Sequence, residues 1–330
     1  MIECIFTIDY EIYGNGEGSL RELVYEPADR LAAIFRKHKK QFVAFVEAAE
    51  LEMIESAGTD PTIRRVKTQI RDFYRDGSEI GLHLHPQWYN AKRESGRWLL
   101  DCDEYNLCTL PQTRIAEIVD RAIAWLRKVT GTTDYAPLAF RAGNWLFQPT
   151  QPAAGILAAR GVKVDSSVFK GGLQQQHKLD YRRALRNGYY WKFVKQVDVP
   201  DPDGTLLELP IYTQMVPFWK MLTSKRIGLQ QKSAPAAQAD TNKISKLRNR
   251  LRFMYPLKFD FCRMTIDELT SMVDSVVQED RLDTKTIRPI VAIGHTKDLV
   301  DFDTVESFLL YLEKKGITVS TIRDVYPRIK

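Results

Sequence analysis

At 330 residues, with 44% hydrophobic and 27% charged side chains, the chain is long enough to bury a full core unaided and too apolar for a disordered protein. Cys4, Cys102, Cys108 and Cys262 form no CxxC pair, which argues against a disulfide framework or a Cys-ligated zinc and for reduced thiols in a cytosolic compartment. The formal charge is +6, yet Lys220 to Lys258 carries ten Lys/Arg against Asp240 alone, so the basic character belongs to that segment and not to the fold.

The N-terminal MIECIFTIDYEIYG has no basic leader, long apolar run or cleavage site, and no stretch reaches the length of a membrane span. The expectation is a soluble cytoplasmic protein, with a peripheral membrane contact left open. A strand opens the chain at 2–9, and a helix follows at 27–38. Residues 41–48 (QFVAFVEA) form a near-continuous apolar run, as in a strand covered on both faces. A helix is predicted over 61–76, with Ile63, Val66, Ile70 and Phe73 on one side, then a strand at 79–85. Ile115, Ile118, Val119, Ala122, Leu126 and Val129 recur at helical spacing, and Gly131 stops that helix. Short strands at 137–141 and 162–165 flank a helix at 152–160.

Two stretches interrupt this alternation. Residues 189–215 predict a β-hairpin, with VDVP and LLELPIYT flanking the turn PDPDG. Ile244–Leu257 predicts a basic amphipathic helix, with Ile244, Leu247, Leu251 and Met254 on one face. It is either a solvated helix on the flank or a lid or anchor meeting phosphate or an anionic membrane surface through 243–258. The rhythm then resumes. A capping box at Thr265 and Glu268 starts a helix to about 278, a strand follows at 289–294, and a helix capped at Asp303 and Glu306 runs to Lys315 before a last strand at 317–320. Such alternation implies a parallel sheet with covering helices, in a barrel or an open sheet.

Four strand ends carry chemistry. Asp9 and Glu11 are two apart in TIDYE, so their carboxylates share a face while Tyr10 points away. His83 and His85 repeat that spacing in EIGLHLHPQW, and they are two of only five histidines. Two imidazoles on one face make half of a zinc site, which a carboxylate would complete with an open fourth position. In FRAGNW, Arg141 follows a short strand and can hold Asp9 ionised, while Gly143 lets the backbone pass close to a ligand. His295 ends the strand VAIGH. Each residue alone also fits an ordinary structural role; together they supply a metal, a base, an orienting cation and an acid.

In the order and spacing of these motifs the sequence resembles the polysaccharide deacetylase (NodB-like) family, as a divergent branch. TIDYE stands for the family's T-F-D-D, EIGLHLH for E-I-G-x-H, FRAGNW for R-x-P-x-G, VDSS for the fourth motif and IGHTKD for the terminal L-H motif. The match spans roughly Ile2 to Ile322. It implies one domain over 1–330, an α/β distorted (β/α)7 barrel with insertions at about 86–110 and 170–262. It also implies a divalent metal, commonly zinc, with cobalt, nickel and manganese as alternatives. By position Asp9 resembles the catalytic base, Arg141 the arginine that tunes it and His295 the catalytic acid, and Glu11 and His83 fall on metal ligands. The family's second metal histidine lies four residues after the first, where this chain has Gln87; on strand parity His85 is the substitute, and the choice between them stays open here. Tyr10 replaces the usual second Asp, and Ala142 the usual proline.

The reaction implied is N-deacetylation of a sugar in a polysaccharide or lipopolysaccharide precursor. Asp9 would take a proton from a water, the metal and the backbone N–H of Asn144 would hold the oxyanion, and His295 would protonate the departing amine. Trp88 and Trp145 are the candidate sugar-stacking faces. The basic segment favours a substrate bearing phosphate or carboxylate. Two other readings are a catalytically silent module binding glycan or anionic lipid, and a small-molecule C–N hydrolase. Nucleic-acid binding is not expected, because the basic run has few interleaved aromatics and no reader motif.

Overall fold

The computed structural model describes residues 1–186, 188–221, 253–283 and 285–330. The strands in chain order are β1 (Ile2–Tyr10), β2 (Val43–Glu47), β3 (Glu79–Leu84), β4 (Lys92–Glu94), β5 (Arg97–Leu99), β6 (Ala139–Ala142), β7 (Val164–Asp165) and β8 (Leu173–Gln174). They continue as β9 (Leu179–Asp180), β10 (Trp191–Phe193), β11 (Leu206–Glu208), β12 (Thr213–Pro217), β13 (Met254–Lys258), β14 (Arg288–His295) and β15 (Thr318–Val319). Among the described residues eight of these run parallel, seven in the order β11-β7-β6-β3-β2-β1-β14 and β15 in a short pairing beside β1.

The sheet curls into a distorted barrel. Between β11 and β14 the ladder gives way to single contacts. Ile211 bridges both Phe169 and Val291, and Phe259 and Phe261 exchange backbone hydrogen bonds with Ile293. Pro210, two residues past the end of β11, has no N–H to donate, which is a local reason for regular pairing to stop there. Inside lie Ile5, Val43, Phe45, Ala139, Val164, Leu207 and Val291. Outward-facing Phe6 packs on Phe35, Phe261 and Phe308 beneath the covering helices.

A final helix, Ile322–Ile329, was not expected from the sequence. Its Ile322, Val325 and Ile329 pack with the inward residues, and Thr321 and Asp324 cap it reciprocally. It closes the end of the barrel where the parallel strands begin. There buried Glu79 accepts from the Arg323 backbone N–H at 2.7 Å, and its other oxygen has no hydrogen-bond partner among the described residues. Burial pushes the Glu79 carboxyl up to about 7, more than the Arg323 N–H and charge pull it down. A carboxyl whose pKa rises on folding favours the fold below its unfolded pKa and loses that benefit as pH climbs through the folded value. Wild-type stability is therefore expected to fall by about 3 kcal/mol between pH 4.5 and 8 through this group. Glu79→Gln removes that fall, so its melting temperature relative to wild type should rise from pH 5 to pH 8. A difference that stays flat with pH would contradict the assignment.

Three sequence expectations need correction. The hairpin pairs β10 with β11, Trp191 opposite Glu208 and Phe193 opposite Leu206, so VDVP is not its first strand. Residues 196–199 turn instead, and the Val197 N–H is drawn to Thr150 Oγ1 at 2.9 Å. The predicted helix Ile244–Leu257 does not hold at its end, because Met254–Lys258 is β13, antiparallel to β12. Pro256 explains this: it cannot donate within a helix, and it biases Tyr255 to extended backbone. The rest of that prediction, 243–252, lies outside the described residues. The late helix Phe302–Lys314 is capped by Asp301, which accepts from Thr304, and not by Asp303. The helix Ala48–Ala57 was missed. It follows β2 without a linker, and its cap is Glu47, whose side chain accepts from the Glu50 N–H.

Candidate metal centre and active site

Strand parity and register assemble the site. Inward positions on β1 are odd-numbered, so Thr7 and Asp9 face the barrel axis and Glu11 continues that face past the strand end. In the parallel ladders Asp9 lies opposite His295, Glu47 opposite His83, and His83 opposite Arg141. Residues more than a hundred positions apart thus reach one end of the barrel, and all of them are buried.

Arg141 is fully buried and donates through Nη1 to Asp9 Oδ1 at 2.7 Å. Its Nη2 reaches Thr7 Oγ1 at 3.0 Å and Ser166 Oγ at 3.1 Å, and Nε donates to the Ser166 carbonyl at 2.8 Å. The VDSS segment therefore holds the arginine. Asp165 fixes Ser167, whose hydroxyl in turn accepts from the Ala142 N–H. Burial alone would push the Asp9 carboxyl up; Arg141, then His83 and His295, outweigh it and hold the pKa below the usual value.

Glu11 Oε2 lies 3.0 Å from His85 Nε2 and 3.4 Å from His83 Nε2. Its other oxygen takes the Lys297 ammonium at 2.7 Å. Burial works against ionised Glu11, but Lys297 and the two imidazoles hold its pKa well below normal. His83 Nδ1 lies 2.8 Å from the Arg141 carbonyl, so Nδ1 carries the donated proton. That leaves Nε2 as a buried atom without a hydrogen-bond partner among the described residues, aimed at Glu11. Burial lowers the His83 pKa, yet Asp9 and Glu11 outweigh it and push it up to about 9, so this spot attracts one more positive charge.

Those features fit a divalent ion. Ligand atoms of Glu11, His83 and His85 all lie within 4.8 Å of one another, and an N, N, O donor set suits zinc and its neighbours. His85 Nδ1 lies 3.3 Å from both Gln87 Nε2 and Asn144 Nδ2, while Gln87 Oε1 is buried without a partner among the described residues. Turning the Gln87 amide over would let Oε1 accept an Nδ1 proton and free the His85 Nε2 lone pair for a metal. Gln87 is thus placed to orient His85. A second group, Asp9, Glu11 and His295, also converges, but Asp9 Oδ1 is committed to Arg141 there.

No family model and no curated sequence matches the chain. Among solved structures it is similar to a Mycobacterium smegmatis protein described as a polysaccharide deacetylase, with 15% identity, a TM-score of 0.54, and 99% of this chain and 90% of that one covered. It is also similar to Puue allantoinase (14% identity, TM-score 0.51, 98% and 88% covered). A GH57 branching enzyme of Thermococcus kodakaraensis, solved with glucose, gives 11% identity, a TM-score of 0.57, and 99% and 71% coverage. The chain has the polysaccharide-deacetylase fold.

Within that fold the departures at the motifs have physical reasons. Tyr10 faces outward and donates to Gln69 Oε1 at 2.7 Å, so it is no ligand, and the acid beside the histidines comes one residue later at Glu11. Gly143 is required: a Cβ there would sit 2.5 Å from the Leu84 carbonyl and 2.7 Å from the His85 ring. Beyond it Asn144 (φ 53°) and Trp145 (φ 61°) both adopt left-handed backbone, which is strained for a tryptophan and turns both residues to the site.

His295 Nε2 lies 3.4 Å from Asp9 Oδ2, and burial pulls its pKa down to about 4. The Trp145 ring stands edge-on to His295, centroids 6.1 Å apart. Trp88 corrects the sequence reading: it is 1% exposed and packed edge-on to Trp98, so it offers no face to a sugar. Besides Trp145, the aromatics near the site include Trp98, Tyr105 and Tyr13, which line a 560 Å³ cavity that also touches Gln87, Asn144 and Lys297. Sequence reasoning missed Trp98, Tyr105 and Lys297. Only Lys297 carried a signal, two residues after His295 on the same strand-end segment. No helix among the described residues is long and apolar enough to cross a membrane.

Proposed function

We propose that the protein is a metal-dependent hydrolase of non-peptide amide bonds, removing acetyl groups from an N-acetylated sugar of a polysaccharide or lipopolysaccharide precursor. The observation that carries this reading is the convergence of Glu11, His83 and His85 on one point beside the buried Asp9–Arg141 pair. Those three residues would hold the ion, zinc by donor set. When bound, it supplies a Lewis acid that polarises the acyl oxygen and makes a water more acidic.

The chain's own residues do the proton work. Arg141 keeps Asp9 ionised as the base that takes the water's proton. His295 is neutral at pH 7 and cannot start as the acid. Its Nε2, 3.4 Å from Asp9 Oδ2, is placed to receive that proton and pass it to the departing amine. Asn144 stands beside His85, where its backbone N–H is the candidate oxyanion donor. The cavity favours a sugar: Trp98 and Tyr105 offer faces to C–H surfaces, and Asn15 and Asn144 offer amides to hydroxyls.

Acetate release from N-acetylated glycans should stop on chelation and return with added zinc. Full activity after complete metal removal would overturn the proposal.

A further inference from the structure

The β12–β13 hairpin brings a cation to the site that this chemistry does not use. Lys258 ends β13, opposite Thr213. Its Nζ lies 3.3 Å from the centroid of the Trp145 ring and 4.9 Å from that of Phe169. Trp145 in turn meets His295 edge-on, so the ammonium stands on the histidine side of the site.

Among the described residues Lys258 has no carboxylate at ion-pair distance. The nearest in sequence, Asp260, turns its Oδ1 back to the N–H groups of Cys262 and Arg263 at 3.0 and 3.1 Å. Aromatic faces return only part of the hydration an ammonium loses on burial. Burial accordingly pulls the Lys258 pKa down, against the pull of Asp260 and Asp9 in the other direction. A cation left in this state gains most from an oxyanion, which would restore both the charge balance and the missing hydrogen bonds.

We propose that Lys258 is a specificity residue that receives a carboxylate or phosphate borne by the substrate beside the group being hydrolysed. This rests on the deacetylase reading for the substrate's other half. Lys258 reads charge and takes no part in bond breaking: its ammonium stands over the Trp145 and Phe169 rings, and among the described residues it makes no ion pair with Asp9 or the other acids of the site.

The test is calorimetric binding to the zinc-loaded protein. The probes are N-acetylglucosamine, its 6-phosphate, its 3-O-lactyl carboxylate and inorganic phosphate. Lys258→Met should weaken the charged probes by about 30-fold while leaving the uncharged sugar within a factor of two. Lys258→Arg should keep most of the affinity for the charged probes. Whichever of phosphate or carboxylate loses more in the methionine variant is the group recognised. Equal losses for charged and uncharged sugars, or no change in any probe including inorganic phosphate, would overturn the proposal. Binding does not require turnover, so charge discrimination without acetate release would sink the hydrolase reading and leave Lys258's role standing.

Discussion

His83→Ala is expected to leave the protein without stoichiometric metal and to cut acetate release roughly a thousandfold, since a Lewis-acid ion is worth several kcal/mol to such a reaction. The reason is specific to this imidazole. Its Nδ1 is spent on the Arg141 carbonyl, and its Nε2 has no hydrogen-bond partner among the described residues, which leaves that lone pair for the ion. His85→Ala should match it closely. Gln87→Leu should retain metal and weaken it by about 10- to 100-fold, as expected for a residue that only orients a ligand. The check is metal content after dialysis, paired with acetate release and far-ultraviolet circular dichroism to confirm the fold. If Gln87→Leu loses the metal outright while His85→Ala keeps it, Gln87 is the third ligand and the strand-parity argument is wrong.

Arg141→Met is expected to destabilise the fold by about 3–5 kcal/mol, because it strands a buried carboxylate. Asp9 would lose its 2.7 Å partner, and Thr7 and Ser166 would lose the same guanidinium. The pH dependence follows from the sign of the Asp9 shift. A carboxyl whose pKa falls on folding adds stability above its unfolded pKa and loses it as pH drops through the folded value. The gap between wild type and Arg141→Met should therefore be full at pH 7 and should narrow below about pH 4. Adding Asp9→Asn to Arg141→Met should recover part of the loss, since the stranded charge goes with it. Urea denaturation at pH 7 and pH 3.5 measures all of this. A gap that does not change with pH would mean that the pair is not ionised in the fold.

The fold and the catalytic cluster differ in how much of them could be read from the chain. The parallel strands announce themselves because both faces are covered, as in the apolar run around Val43–Glu47. The spacing of Asp9 with Glu11 and of His83 with His85 also carries information, because a strand alternates its side chains strictly. What the sequence hides is set by contacts between distant segments. Lys297 matters through an ion pair to Glu11, 286 positions away, and its one local signal, a place two residues after His295, does not reveal that partner. Trp88, beside the histidines in sequence, fits either a sugar-stacking face or a core aromatic, and only the β4–β5 hairpin, which covers it with Trp98, decides for the core. The helix Ala48–Ala57 escapes notice because glutamate is not a usual cap and no turn residue separates it from β2. The error at Met254–Lys258 is of another kind: Pro256 was in plain sight and outweighs the helical spacing around it.

Anomalous diffraction at the zinc edge from crystals of the zinc-loaded protein tests the central claim most directly. One peak is expected within bonding distance of Glu11 Oε2, His83 Nε2 and His85 Nε2, with Asp9 still held by Arg141 and free of the ion. A peak seated instead among Asp9, Glu11 and His295, or no peak at this end of the barrel, would contradict it.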